Sequence, residues 1–247
     1  MQVLLFLHRL YFFVILNIRN KKTYKMKKII FLFIISSLIS IKGIGLTLSP
    51  ETEVSILTCA PGNELYSLFG HTAIRINDPR HQIDRVYNYG TFDFSTPHFY
   101  LKYARGLLPY QLTVQKFSHF IYNYQLEERT VYAQTIRLDS LEKQRIFDLL
   151  EENLLPQNRY YLYNFLFDNC TTRSRDILLK SLPDSVAWNM PDVNKNFWNL
   201  LDEYLQASPW VQWGIHTILG QRGNRTATTF QYMFLPDYLM YGLKNAR

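Results

Sequence analysis

The chain has 247 residues, 47% hydrophobic and 16% aromatic, with a formal charge of +7. Eight of its basic residues (Arg9, Arg19, Lys21, Lys22, Lys25, Lys27, Lys28 and Lys42) lie in residues 1–49, which hold no Asp or Glu. Residues 50–247 therefore carry 19 basic against 20 acidic side chains, a charge of −1. This balance excludes a nucleic-acid-binding footprint, and roughly 200 residues suffice for one well-buried domain but not two large ones.

Met26-Lys27-Lys28 followed by the apolar run from Ile29 to Ile41 reads as the basic n-region and h-region of a secretory signal, with Met26 as an alternative start. The run from Val3 to Leu16 is apolar too, but short for a membrane span and interrupted by His8 and Arg9. No small-residue cleavage site follows Ile41. Residues 1–49 are thus expected to be a signal peptide or an uncleaved N-terminal membrane anchor, and 50–247 an exported domain. Cys59 lies too far past the apolar run to be a lipoprotein cysteine.

Val54 to Cys59 is a short β-rich run ended by Pro61-Gly62-Asn63, and Glu64 to Phe69 suits a brief helical turn. His71 to Ile76 reads as a strand, Asn77-Asp78-Pro79 breaks it, and Asp84 to Phe94 reads as its antiparallel partner. Phe99 to Glu128 mixes aromatic and polar pieces, with a helix expected at Val114–Tyr124. Its aromatic segments (Phe99-Tyr100, Leu107–Tyr110, Phe117–Tyr122) are expected mainly in the core, with contact to acyl chains or a membrane surface as the alternative. Thr130 to Leu138 alternates as a strand. Asp139 with Glu142 forms a capping box for a helix bearing Leu141, Ile146, Leu149 and Leu150 on one face and stopping at Pro156. A second helix at Asn196–Gln206 puts Phe197, Leu200, Leu201, Tyr204 and Leu205 on one stripe.

Two segments carry chemistry. In Phe167-Asp168-Asn169-Cys170-Thr171-Thr172-Arg173, Asp168 or Asn169 can cap a helix and set the Cys170 sulfur over its first turn. There the unpaired N–H groups and the dipole favour a thiolate. Arg173 and Arg175 add positive potential, and the same N–H groups suit an oxyanion. Taken alone, Cys170 is more often a buried helix cysteine. In Leu68-Phe69-Gly70-His71-Thr72-Ala73, the strand alternation sends Ile74 and Ile76 to the core and leaves His71 facing a cleft. A lone histidine there is otherwise a satisfied structural residue. Asn88 on the facing strand is the candidate to orient the imidazole, with Asp93 and Tyr89 as rivals. The two cysteines of an exported chain also admit a Cys59–Cys170 disulfide as the minority reading. His81, His98, His119 and His216 show no metal-ligand spacing, and no phosphate loop or Gly-x-Ser-x-Gly elbow occurs. No metal, cofactor or nucleic acid is expected.

Together, Leu57–Arg75, Val86–Phe94, Phe167–Arg173 and Phe234–Leu239 resemble the Lnb N-terminal periplasmic domain family, over nearly everything from about residue 50 onward. The resemblance implies an α+β fold of circularly permuted papain-like layout, similar to NlpC and lecithin:retinol acyltransferase domains, with an antiparallel sheet and packed helices. In that layout the histidine strand precedes the cysteine helix. It further implies His71 as base, Cys170 as nucleophile and Asn88 in third place, supported by Asp168, Asn169, Thr171 and Arg173. The implied reaction is lipoprotein N-acylation, with lipoprotein or phospholipid as substrate and an inner-membrane association. Members of the family that are full acyltransferases continue into transmembrane helices, whereas no apolar run follows Leu243 here. A thiol acyltransferase therefore ranks first, a cysteine peptidase or amidase acting on cell-wall peptide second, and a non-catalytic envelope binding module third.

Overall fold

The computed structural model describes residues 45–93, 95–98, 102, 107–183, 185–191 and 194–246. Most of the leader expected at 1–49, and Phe99-Tyr100, lie outside the described residues. From Leu48 onward the chain forms one compact unit.

The architecture is α+β, built on a six-stranded antiparallel sheet. Its strands are β1 (Glu53–Cys59), β2 (His71–Asp78), β3 (Ile83–Thr91), β4 (Pro109–Lys116), β5 (Val131–Thr135) and β6 (Tyr160–Leu162), in the spatial order β5-β1-β2-β3-β4-β6. Named α-helices among the described residues are α1 (Phe117–Leu126), α2 (Ser140–Leu154), α3 (Cys170–Ser181), α4 (Phe197–Leu205), α5 (Pro209–Leu219), α6 (Thr229–Tyr232) and α7 (Pro236–Asn245).

Period-two alternation in the central strands feeds two cores. Val54, Ile56, Ile74, Ile76, Tyr87 and Tyr89 point to one face and meet Ile146, Phe147 and Leu150 of α2, Ile177 and Leu178 of α3 and Leu239 of α7. Leu57, Cys59, Ala73 and Val86 point to the other, under Phe120 of α1. A third cluster gathers α4 with Leu166, Tyr232, Phe234 and Leu235.

Several expectations are revised. Residues 114–116, expected to be helical, end strand β4, because Tyr110 and Leu112 alternate inward while the strand pairs with β3. Helix α2 has the expected capping box between Asp139 and Glu142. Its buried stripe, however, is Ile146, Phe147 and Leu150, while Leu141 is 68% exposed. At 100° per residue Leu141 lies well off that stripe. The expected strand 130–138 ends at Thr135. Of the aromatic segments, Leu108, Tyr110 and Phe120 are buried, whereas Leu107 and Tyr122 are exposed.

Asp78 pins the chain entry to the β2 turn. Its buried carboxylate accepts from the Ser49 amide (2.8 Å), the Ser49 hydroxyl (2.7 Å) and the His81 ring (2.8 Å). Burial works against the charge, but these donors outweigh it and hold the carboxyl well below its usual range. Asp78→Ala leaves these donors and the His81 backbone N–H without their acceptor. It is expected to cost about 2 kcal/mol, a fall in Tm of roughly 4–8 °C by calorimetry at neutral pH. Because the folded-state value is depressed, the wild-type advantage is held above the unfolded carboxylate range and shrinks as pH falls below it.

Candidate active site

The nucleophile candidate opens α3. Asn169 is its N-cap: its side-chain oxygen accepts from the Thr171 and Thr172 amides (2.8 and 2.9 Å), and Thr172 Oγ1 accepts from the Asn169 amide. The Asn169 amide group then donates to the carbonyls of Phe165 and Phe234. The cap is therefore anchored from outside the helix. Of the two capping candidates, Asn169 takes the role. Asp168 instead receives a bidentate pair from Arg173 at 2.6 and 2.8 Å.

The base candidate opens β2. Gly70, just before it, has φ +74°, and a Cβ there would meet the Cys59 carbonyl at 2.5 Å. Only glycine allows this approach of the chain to β1. The pairing of β2 with β3 ends at Ile74–Tyr87, short of His71 and Gly90. The N-terminal end of α3 packs into this parted end of the sheet. Thr72 Oγ1 and Thr171 Oγ1 share a buried hydrogen bond of 3.0 Å, one residue along from His71 and from Cys170. Gly90 (φ +83°) bears no side chain where a Cβ would come within 3.3 Å of the Cys170 Cβ.

Asn88 Oδ1 lies 3.3 Å from His71 Nε2. An amide oxygen only accepts, so Nε2 carries the proton and Nδ1 is left for the thiol. Neither rival reaches the ring: Asp93 is bonded to Ser95, and the Tyr89 hydroxyl accepts from Asn153. Burial disfavours charge on both Cys170 and His71, yet each sustains the other. The imidazolium, the Thr72 amide and the Thr171 hydroxyl bring the Cys170 thiol below its ordinary value. The thiolate, together with Asn88, lifts His71 above its own. Both residues are half-buried.

The geometry decides one alternative and revises two expectations. Both cysteines are free thiols, so the bridge to Cys59 is absent. Cys59 is fully buried in the core beneath α1, and burial pushes its thiol up to about 12. The arginines do not stand as free charges beside the sulfur: Arg173 is paired with Asp168, and Arg175 with Asp176 at 2.7 Å. Nor is the face of His71 an open cleft along its length: Ala73 is buried and Arg75 lies over the Phe117 ring at 3.7 Å.

One residue the sequence did not single out is Tyr161 on β6. Its hydroxyl is buried against the Gly90 backbone, and its ring lies under the Arg173 guanidinium at 3.5 Å. Burial first, then the charge on Cys170, push this hydroxyl upward, which keeps it protonated. No local motif marks it; three consecutive aromatic or apolar residues read as an ordinary edge. Among the described residues no group of His, Cys, Asp and Glu could hold a metal ion.

Residues 47–201 match the family model described as the Lnb N-terminal periplasmic domain, more than half of the chain, and the chain belongs to that family. No curated protein and no solved structure matches it. The family places the domain in the periplasm. Among the described residues no helix is long and apolar enough to cross a membrane.

Alkylation of Cys170 by iodoacetamide is expected to plateau below the ordinary thiol range near pH ~8.5, because its folded-state value is lowered. His71→Ala is expected to move the midpoint upward by about one pH unit or more. Mass spectrometry of the labelled peptides at each pH reads both, and Cys59 is expected to stay unlabelled until the protein unfolds. Thr171→Val strands the Thr72 hydroxyl in a buried site. It is expected to cost roughly 1–3 kcal/mol of stability, read by urea titration, and to slow Cys170 labelling at pH 7.

Proposed function

We propose that this domain is a periplasmic thiol acyltransferase of circularly permuted papain-like layout, in which Cys170 is the nucleophile, His71 the base and Asn88 the residue that orients the imidazole. The observation carrying this reading is the mutual charging of Cys170 and His71 with Nε2 held by Asn88. A binding module has no use for a depressed thiol matched to a raised imidazole.

The chemistry follows from the charges. The Cys170 thiolate attacks an ester carbonyl of a phospholipid, forming a C–S bond and sending the carbonyl π pair to oxygen. Asn169 already occupies the Thr171 and Thr172 amides, so the donor left in that turn is the Cys170 amide, with the Tyr161 hydroxyl as second donor to the oxyanion. Collapse breaks the C–O bond, and the His71 imidazolium protonates the departing alkoxide. The amino group of a lipoprotein's terminal cysteine then attacks the thioester while His71 takes its proton. A C–N bond forms, the C–S bond breaks, and the thiolate–imidazolium pair is restored.

Acid-quenched mass spectrometry of the full chain incubated with phospholipid is expected to show an acyl adduct on the Cys170 peptide, absent in Cys170→Ala. Lipoprotein N-acylation should disappear with it. Tyr161→Phe is expected to lower acyl transfer by about 10²-fold while leaving iodoacetamide labelling at pH 7 unchanged, since labelling generates no oxyanion. Lipoprotein N-acylation that continues in Cys170→Ala overturns the reading. Release of peptide fragments from purified cell wall, without lipid turnover, transfers the same thiol to an amidase.

A further inference from the structure

Helix α5 (Pro209–Leu219) presents apolar side chains on the side where a surface helix is ordinarily polar. Its inward residues, Val211, Ile215 and Leu219, pack on the α4 cluster. His216 stacks on Trp198 with centroids 4.8 Å apart and bonds Asp202 at 2.8 Å, which fixes the helix's rotation. That rotation turns Trp210, Trp213 and Ile218 outward, 86%, 66% and 78% exposed. Two tryptophans and an isoleucine together offer a few hundred Å² of apolar surface, on the order at which a patch marks an interaction site.

The charge around this face selects the occupant. Residues 204–236 contain no Asp or Glu, while Arg222 and Arg225 follow α5 directly and are both exposed. The same arginines border an open cleft of about 280 Å³ whose floor is Phe165, Leu166, Phe167 and Leu219, and Arg225 lies over the Phe167 ring at 5.8 Å. A second copy seated here by a twofold axis would set arginine against arginine, and the carboxylate that reaches α5, Asp202, is already bonded to His216. A bilayer supplies both complements: acyl chains for the tryptophans and isoleucine, and anionic headgroups for the arginines. Eleven residues are too few to span a bilayer, so the helix would lie along its surface.

We propose that α5 docks this domain on an anionic phospholipid surface, with Trp210, Trp213 and Ile218 among the acyl chains and Arg222 and Arg225 on the headgroups. The interaction is peripheral, and it stands apart from the thiol chemistry because none of these residues contributes to the Cys170–His71 pair. It also orients the protein, since the cleft beside α5 is lined by the segment that runs directly into Cys170.

The test uses the full chain with vesicles of phosphatidylglycerol and phosphatidylethanolamine carrying brominated acyl chains. Because residues 1–49 are themselves apolar, the readout must be local. Tryptophan quenching and slowed hydrogen exchange in residues 209–225 are expected on vesicle addition. Trp210→Ser with Trp213→Ser is expected to abolish that protection without changing the circular dichroism spectrum, as both side chains are exposed. Arg222→Gln with Arg225→Gln is expected to weaken association with these vesicles by about thirtyfold and to remove most of its salt dependence. The same protection in Cys170→Ala is expected, which separates docking from catalysis. Unchanged exchange in 209–225 with vesicles present overturns the proposal. So does protection that appears without lipid and follows protein concentration, which assigns the face to a second copy.

Discussion

The buried hydrogen bond between Thr72 and Thr171 is the constraint from which the site's geometry follows. It joins the first turn of α3 to the first residues of β2 at the one end of the sheet where β2 and β3 no longer pair. His71 and Cys170 each sit one residue before a member of this bond. Fixing the two threonines therefore fixes the approach of imidazole to sulfur. The net worth of such a bond is only about 1 kcal/mol, yet leaving either hydroxyl unmet in that buried setting costs more. Specificity of docking, more than stability, is what the pair contributes. Gly90 completes the fit by absence, because a side chain there would press on the Cys170 Cβ.

The two cysteines show how position outweighs residue type. Cys59 is directly opposite His71 in the β1–β2 register, so it is no farther along the sheet from the imidazole than many partners would be. It nonetheless lies at zero exposure beneath α1, with Tyr124 as its hydrogen-bond partner, and burial holds it protonated. Cys170 meets the same desolvation but gains what a strand cannot offer: a capped helix start, the Thr72 amide and a charged imidazole. One thiol is core and the other is chemistry.

Much of this arrangement was legible in the sequence where local rules govern. The strand starting at His71, the capped helix starting at Cys170 and the capping box at Asp139 all follow from alternation and side-chain capping, which act over three or four residues. Asn88 could be placed near the ring because antiparallel pairing is a short-range rule. Tertiary contacts decided the rest. Whether Val114 to Lys116 became strand or helix depended on β3 being beside it. Whether Arg173 and Arg175 stood free or paired depended on which carboxylates claimed them. Tyr161 could not be read at all, since the pairing of β6 with β4 is what brings it to the site.

The support of the site extends past the stretch the family model matches. That match ends at residue 201, yet the Asn169 cap is held by the Phe234 carbonyl at 2.9 Å, and α7 is tied to β5 through Gln134 and the Met240 carbonyl at 3.0 Å. An N-cap contributes about 1 kcal/mol to its helix, but here it also sets where the sulfur lies. If Phe234 moved, Asn169 would lose one of the two carbonyls that fix its amide, and the orientation of its oxygen toward Thr171 and Thr172 would loosen. The final 46 residues thus act on the nucleophile through the cap while α5, within the same segment, presents the apolar face. One stretch of chain consequently couples the surface that would meet lipid to the turn that holds the thiol.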